Sequence, residues 1–149
     1  MSQLPVSDET QVEDFQEEYE KLSSQGSKEA SAACQRLVWA LVHSKSQNKV
    51  KQGLELAEIT LSRKERPAAD EQRELVYYCA VAFYKLGRYI DARRQLEELL
   101  KIQPHFHQAE TLKAMVEDQI VKEGLIGVGL GAGLLGIVAI GIAAFANRR

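Results

Sequence analysis

A run of 23 residues, at positions 124–146, contains no charged or strongly polar side chain. A helix of that length extends about 34 Å, whereas the hydrocarbon layer of a bilayer is about 30 Å thick. Buried helices of soluble proteins rarely stay uncharged for more than about 14 residues. The run therefore predicts a membrane-spanning helix, and a buried core helix is the weaker alternative.

The position of the run, with only Asn147, Arg148 and Arg149 after it, predicts a tail anchor. Such a span leaves the ribosome only when translation ends, so we expect post-translational insertion with the preceding residues in the cytosol. The first twenty residues are acidic, unlike a secretory signal peptide or an Arg-rich presequence. The predicted organisation is an N-terminal arm (1–7), a cytosolic domain (8–123), the span (124–146) and a basic tail (147–149).

The composition of the span indicates which membrane it enters. It holds seven glycines, five alanines and eleven residues of Leu, Ile, Val or Phe, so it is only moderately hydrophobic. A modest span followed by a basic tail is typical of mitochondrial outer-membrane and peroxisomal anchors, which makes Arg148 and Arg149 the predicted targeting residues. The pairs Gly127/Gly131 and Gly129/Gly133 match G-x-x-x-G, which favours a homodimer. Alternatively, these glycines only moderate the hydrophobicity.

Composition and motif spacing argue against several classes of function. With 19 basic and 21 acidic residues, the chain has no excess of positive charge to hold nucleic acid. Cys34 and Cys79 stand too far apart for a zinc motif, and the three histidines do not converge with other ligands at metal spacing. His105 and His107 could sit together, but a solvated loop is the simpler interpretation. We expect no cofactor, no metal and no enzymatic activity.

The cytosolic part shows helical periodicity throughout, and we predict an all-α fold. Asp8 and Gln11 fit a capping pair at the start of a first helix. Polar or proline-containing breaks at residues 23–26, 44–48 and 63–67 separate that helix from three more. Two further helices precede the span. The prediction is a six-helix bundle with two repeat-like helix pairs and one C-terminal transmembrane helix.

The fourth and fifth helices carry the most specific motif. Small, aromatic, glycine and proline positions follow one another at the spacing of a tetratricopeptide repeat. These positions are Ala80, Phe83, Gly87, Tyr89, Ala92, Leu96 and Pro104. The two alanines let the helices approach, the large apolar residues fill the space between them, the glycine permits the turn and the proline ends the second helix. An ordinary helical hairpin is the alternative.

Taken together, these features resemble the mitochondrial fission 1 family. The resemblance covers nearly the whole chain and is most specific over residues 76–89, with support from residues 39–42 and 113–118. It implies a protein of the mitochondrial outer membrane and peroxisomes that helps to recruit a dynamin-related GTPase, in fungi through a WD-repeat adaptor. One departure is Ser46, which stands where animal members tend to carry a tyrosine.

The resemblance implies partner binding on the concave face, and repeat geometry predicts which residues line it. Residues of the first helix in each pair that point away from its partner helix are the candidates. They are Tyr77, Val81, Tyr84 and Lys85, with Leu37 and Leu41 one repeat earlier. Such an apolar groove suits an amphipathic partner helix. For Leu37 and Leu41 the alternative is packing beneath the first helix, and Trp39 is interpreted as a core residue.

Two further hypotheses follow from the same residues. A membrane-anchored receptor for chaperones or import substrates would use this architecture, but it would grip a peptide carboxylate with Lys, Asn or Arg where this chain has Tyr77 and Val81. The N-terminal arm, with Leu4 and Val6 as apolar anchors, could fold back over the groove and compete with the partner. A frayed terminus with no role is the alternative.

Overall fold

Residues 3–124, the part of the chain that the computed structural model describes, form six α-helices joined by short turns. The helices are α1 (Glu9–Ser24), α2 (Ala30–Val42), α3 (Gln47–Ser62), α4 (Ala69–Lys85), α5 (Tyr89–Ile102) and α6 (His107–Lys122). Each helix packs on the next along the chain, and α2 also packs on α4. The prediction of an all-α fold with six helices is confirmed for these residues.

Local capping fixes where α1 begins. The Asp8 carboxylate accepts a 2.8 Å hydrogen bond from the Gln11 amide, and the Gln11 side chain accepts one of 3.0 Å from the Asp8 amide. Together these bonds satisfy two main-chain donors that the helix itself leaves unpaired. The capping pair predicted from the sequence is confirmed.

The two helix pairs depend on close backbone approach. In the first pair, a Cβ placed on Gly53 of α3 would lie 2.7 Å from Val42 Cγ1 and 2.8 Å from Leu41 Cβ. No larger residue fits there without moving α2 away from α3. In the second pair, Gly87 adopts a φ of +76° between α4 and α5, a conformation that favours glycine.

The predicted repeat positions lie at the contact between α4 and α5 or at its ends. Ala80, Ala92 and Leu96 are buried in the apolar core. The Arg88 guanidinium lies 4.6 Å from the centre of the buried Phe83 ring. Tyr89 is half-buried against Tyr84, at 5.7 Å between ring centres. Pro104 is exposed, two residues beyond the end of α5.

Two apolar clusters account for the packing. The larger one contains buried residues of α2 to α6, while the smaller one joins Val12 of α1 to Leu37, Ala40 and Leu41 of α2. Each fully buried aliphatic side chain contributes about 1.5–3 kcal/mol relative to an exposed one. Helix α1 is therefore held on the rest of the bundle chiefly through α2.

Helix α6 ends at Lys122, and Gly124 follows with a φ of +66°. None of the helices within residues 3–124 combines the length and the apolar character needed to cross a bilayer. The predicted span from residue 125 onward, together with Arg148 and Arg149, lies outside the described residues.

Candidate functional site

Residues of helices α1, α2 and α4 line an open pocket of about 340 Å³. Helix α2 contributes residues that recur on one face, and α4 contributes residues at a spacing of three and four, so the two helices form its opposite walls. The lining residues are Phe15, Ala32, Gln35, Arg36, Trp39, Glu71, Glu74 and Tyr78. We call this cavity the aromatic pocket, after its Phe15, Trp39 and Tyr78 side chains.

His43 packs against two of these aromatic side chains. Its imidazole lies 5.0 Å from the Trp39 ring and meets the Tyr78 ring edge-on at 6.3 Å. The Nδ1 atom is 2.7 Å from the Trp39 carbonyl oxygen, and because a carbonyl only accepts, Nδ1 carries the proton. Burial lowers the pKa of His43, the hydrogen bond to Trp39 raises it, and the charge of Lys85 lowers it further. Burial thus favours the neutral imidazole.

Two carboxylates of α4 stand at the rim of the pocket. Glu71 accepts a 2.6 Å hydrogen bond from the Ser31 hydroxyl, and Glu74 accepts one from the Gln35 amide. Burial raises the pKa of Glu74, and the charges of Asp70 and Glu71 raise it further. Both carboxylates therefore have neutral hydrogen-bond partners on α2.

Tyr78 and Arg36 are the other titratable side chains that line the pocket. Burial, followed by the charge of Glu74 and the neighbouring Tyr77, raises the pKa of Tyr78 to about 12, so its phenol stays protonated. Arg36 of α2 forms an ion pair with Glu18 of α1. The positive charge of Arg36 is therefore compensated by a residue of α1.

The N-terminal arm is attached next to the pocket, at the end of α2. The Ser7 amide donates a 3.1 Å hydrogen bond to the His43 carbonyl, and the Ser7 hydroxyl donates one of 2.5 Å to the Ala40 carbonyl. These are carbonyls that the last turn of a helix cannot satisfy internally. Leu4 is half-buried and packs against the larger apolar cluster, whereas Val6 is 55% exposed.

The predicted groove residues have different surroundings. Leu37 and Leu41 are each 4% exposed and pack with Val12 beneath α1, which was the alternative for these two. Val81 is 0% exposed, and Tyr77 is buried and stacked on Phe106 at 5.4 Å between ring centres. Neighbouring elements thus cover these side chains, and their part in partner binding stays a prediction.

Tyr84 and Lys85 are the members of the predicted set that remain half-buried. Tyr84 contacts Tyr89, and Lys85 donates a 2.7 Å hydrogen bond to the Ser44 carbonyl. Trp39, interpreted from the sequence as core, is half-buried: it packs against the smaller apolar cluster and also lines the aromatic pocket. The spacing of Glu71, Glu74 and Tyr78 on one face of α4 is the sequence signal that could have indicated this surface.

A second cavity, of about 760 Å³, lies on the outer face of α3 beside the turn between α4 and α5. It combines Leu54, Ile59 and Leu86 with charged side chains of both signs. Its rim therefore offers a partner no single sign of charge, and it lacks the aromatic side chains of the first cavity.

The residues that the structure describes hold no group of three or more His, Cys, Asp or Glu side chains placed to bind a metal ion. His105 and His107 are both exposed, and His107 lies 3.3 Å from Glu110. Cys34 and Cys79 are buried free thiols.

Comparison with known proteins relates this architecture to a family. Residues 73–125 match the model of the Fis1 C-terminal tetratricopeptide repeat. Mitochondrial fission 1 protein A of Arabidopsis thaliana is 33% identical over 98% of this chain and 87% of its own length. The mitochondrial fission 1 protein of Candida albicans is also 33% identical, over 97% of this chain and 96% of its own.

Solved structures give the same relationship. The crystal structure of the fission protein Fis1 from Saccharomyces cerevisiae superposes with a TM-score of 0.64 at 26% identity, covering 84% of this chain and 98% of that one. Yeast Fis1 in complex with an Mdv1 fragment, which contains N-terminal extension and coiled-coil domains, gives 0.67 at 25% identity over 80% and 89%. By sequence over nearly its full length and by fold, the chain belongs to the mitochondrial fission 1 protein family.

Proposed function

We propose that the chain is an adaptor on the mitochondrial outer membrane and on peroxisomes that recruits a dynamin-related GTPase, directly or through a WD-repeat adaptor, for organelle fission. The observation that carries the proposal is membership of a family in which yeast Fis1 has been solved together with an Mdv1 fragment. Hydrolysis of GTP belongs to the partner, and no cofactor is required of this chain.

The shape of the aromatic pocket supports a helical partner segment. Its α2 and α4 walls each extend over eight residues, 32–39 and 71–78, which is about 10 Å, or two turns, along a helix. Apolar rings line it and polar groups form its rim, the arrangement that an amphipathic helix fits. Tyr84 and Lys85, half-buried at the far end of α4, would extend the contact surface.

The membrane anchor is proposed from the sequence. The uncharged run starts at Gly124, two residues after α6 ends, so the helical domain would sit directly on the membrane surface. Arg148 and Arg149 would direct the anchor to mitochondria and peroxisomes. Close packing of two anchors through the glycine pairs would give a homodimer with two partner surfaces side by side.

The test is recovery of partners by the tagged full-length chain from detergent-solubilised mitochondria. We expect a dynamin-related GTPase, alone or with a WD-repeat protein, and expect Trp39→Ala to reduce its recovery about tenfold. Ile59→Ala, which removes an exposed apolar side chain from the other cavity, is the matched control and should leave recovery unchanged. Circular dichroism establishes that both variants remain folded.

The same experiment addresses the receptor alternative. Absence of a GTPase, together with binding of a chaperone tail peptide in the micromolar range or tighter, would overturn the proposal. The buried positions of Tyr77 and Val81 disfavour that result, since a carboxylate clamp needs exposed cationic or amide side chains there.

A further inference from the structure

The aromatic pocket contains two negative charges that no ion pair of the described residues neutralises. Glu71 and Glu74 lie three residues apart on α4, so their carboxylates emerge on one side of the helix. Their hydrogen-bond donors, Ser31 and Gln35, are neutral. The one cation in the lining, Arg36, is paired with Glu18.

The surroundings concentrate this negative charge. Asp70 adds a third carboxylate in the first turn of α4, and partial burial together with the charges of Asp70 and Glu71 raises the pKa of Glu74. A cation placed between Glu71 and Glu74 would relieve the repulsion between them.

The walls of the pocket fit the remainder of a long cationic side chain. Trp39, Tyr78 and Phe15 line the pocket and provide apolar surface for an aliphatic stem, and aromatic rings, indole above all, attract a cation. A volume of about 340 Å³ accommodates one such side chain. A planar guanidinium stacks on a ring and reaches two carboxylates at once, whereas an ammonium is a single point charge.

We propose that the aromatic pocket binds an arginine side chain projecting from the partner's helix, with its stem against Trp39 and Tyr78 and its guanidinium between Glu71 and Glu74. The proposal rests on the proposed function, because it specifies the partner that the aromatic pocket accepts. It adds that the amphipathic helix of this partner carries an arginine on its apolar face, so that this face is not purely apolar.

Trp39 is the single tryptophan of the 149-residue chain, so its fluorescence reports on this pocket directly. The full-length chain in detergent micelles is titrated with N-acetyl-arginine amide and, separately, with N-acetyl-citrulline amide, a neutral analogue of nearly the same shape. Ionic strength is matched with sodium chloride. We expect a saturable change in emission with the arginine compound and at least about tenfold weaker binding of the citrulline compound.

A pair of double variants separates the pocket from general charge effects. Glu71→Gln with Glu74→Gln should weaken binding of the arginine compound at least about tenfold, because the stacked guanidinium loses both carboxylates. Glu13→Gln with Glu17→Gln makes the same change of net charge on the exposed side of α1 and should leave binding unchanged. A flat arginine titration, equal responses to both compounds, or equal affinities of the two double variants would each overturn the proposal.

This measurement needs no protein partner, so its result stands apart from the recruitment experiment. Arginine binding without recovery of a GTPase would refute the proposed function and leave the pocket assignment in place. If a GTPase is recovered and Trp39→Ala reduces its recovery, but the arginine compound gives no response, the proposed function is retained and the arginine assignment is refuted.

Discussion

The Lys85 ammonium donates a 2.7 Å hydrogen bond to the main-chain carbonyl of Ser44, which joins the last turn of α4 to the residues that follow α2. The two helix pairs of the bundle are therefore connected by a charged group as well as by apolar packing. Burial lowers the pKa of Lys85, yet its charge satisfies a carbonyl at a helix end, where a cation is favourable.

Replacing Lys85 with methionine should destabilise the domain by about 1–2 kcal/mol, because the apolar side chain keeps the packing but loses the charged hydrogen bond. The measurement is the midpoint of thermal unfolding followed by circular dichroism. Lys45→Met removes the same charge from an exposed side chain one residue after Ser44 and serves as the control. Equal midpoints for the two variants would show that the bond contributes nothing to stability.

Ala92 tests the contact between the helices of the second repeat. The side chain is fully buried, so Ala92→Phe should overpack the interface between α4 and α5 and destabilise the domain by about 1–3 kcal/mol. Ala114→Phe, on the exposed surface of α6, makes the same change without a buried contact. A wild-type unfolding midpoint for Ala92→Phe would contradict the repeat assignment.

The helices were predictable because their signals are local. The capping pair of Asp8 and Gln11 and the glycine turn at Gly87 each act within a few residues of the chain. Spacing alone also predicted the close-packed positions of Ala80 and Ala92, which are both fully buried, since each lies at a regular position within its own helix.

The binding surface was less predictable because it depends on where distant elements lie. Helix α2 is apolar around most of its circumference, so its sequence does not reveal which side α1 covers. In the structure α1 covers Leu37 and Leu41 and leaves Trp39 at the edge. Distinguishing these residues requires the crossing of α1 over α2, which no local pattern encodes.

Arg148 and Arg149 remain predicted targeting residues. Replacing both with glutamate should move the full-length protein from mitochondria to the endoplasmic reticulum or the cytosol, because a moderately hydrophobic span depends on the basic tail for its destination. Fluorescence microscopy of the tagged chain measures this, with Lys64→Glu and Arg66→Glu in the turn between α3 and α4 as the control for net charge. Unchanged mitochondrial localisation would reject the targeting role.

Deleting residues 1–7 should strengthen partner binding. The arm is fixed to the end of α2 through Ser7, beside the aromatic pocket, and a groove that is open in one molecule in ten binds about tenfold more weakly than one that is always open. The full-length chain and the chain lacking the arm are compared in the recovery experiment. Equal recovery would exclude gating, and lower recovery would make the arm part of the binding surface.

His43 should make stability depend on pH. Its pKa is lowered in the folded protein, below the ordinary value of 6.5, so folding favours the neutral ring. The stabilisation is therefore complete above about pH 6.5 and is lost as the pH falls from there towards the folded pKa. A protonated ring would place a second charge near Lys85 and weaken the packing beside Trp39 and Tyr78.

The measurement is the free energy of unfolding in urea at about pH 7.5 and pH 5.5, for the wild type and for His43→Asn. Asparagine retains a donor for the Trp39 carbonyl but does not titrate, while His105 and His107 are present in both proteins and cancel in the difference. We expect the wild type to lose more stability than the variant on acidification. The same pH dependence in both proteins would show that the pKa of His43 is the same in the folded and the unfolded chain.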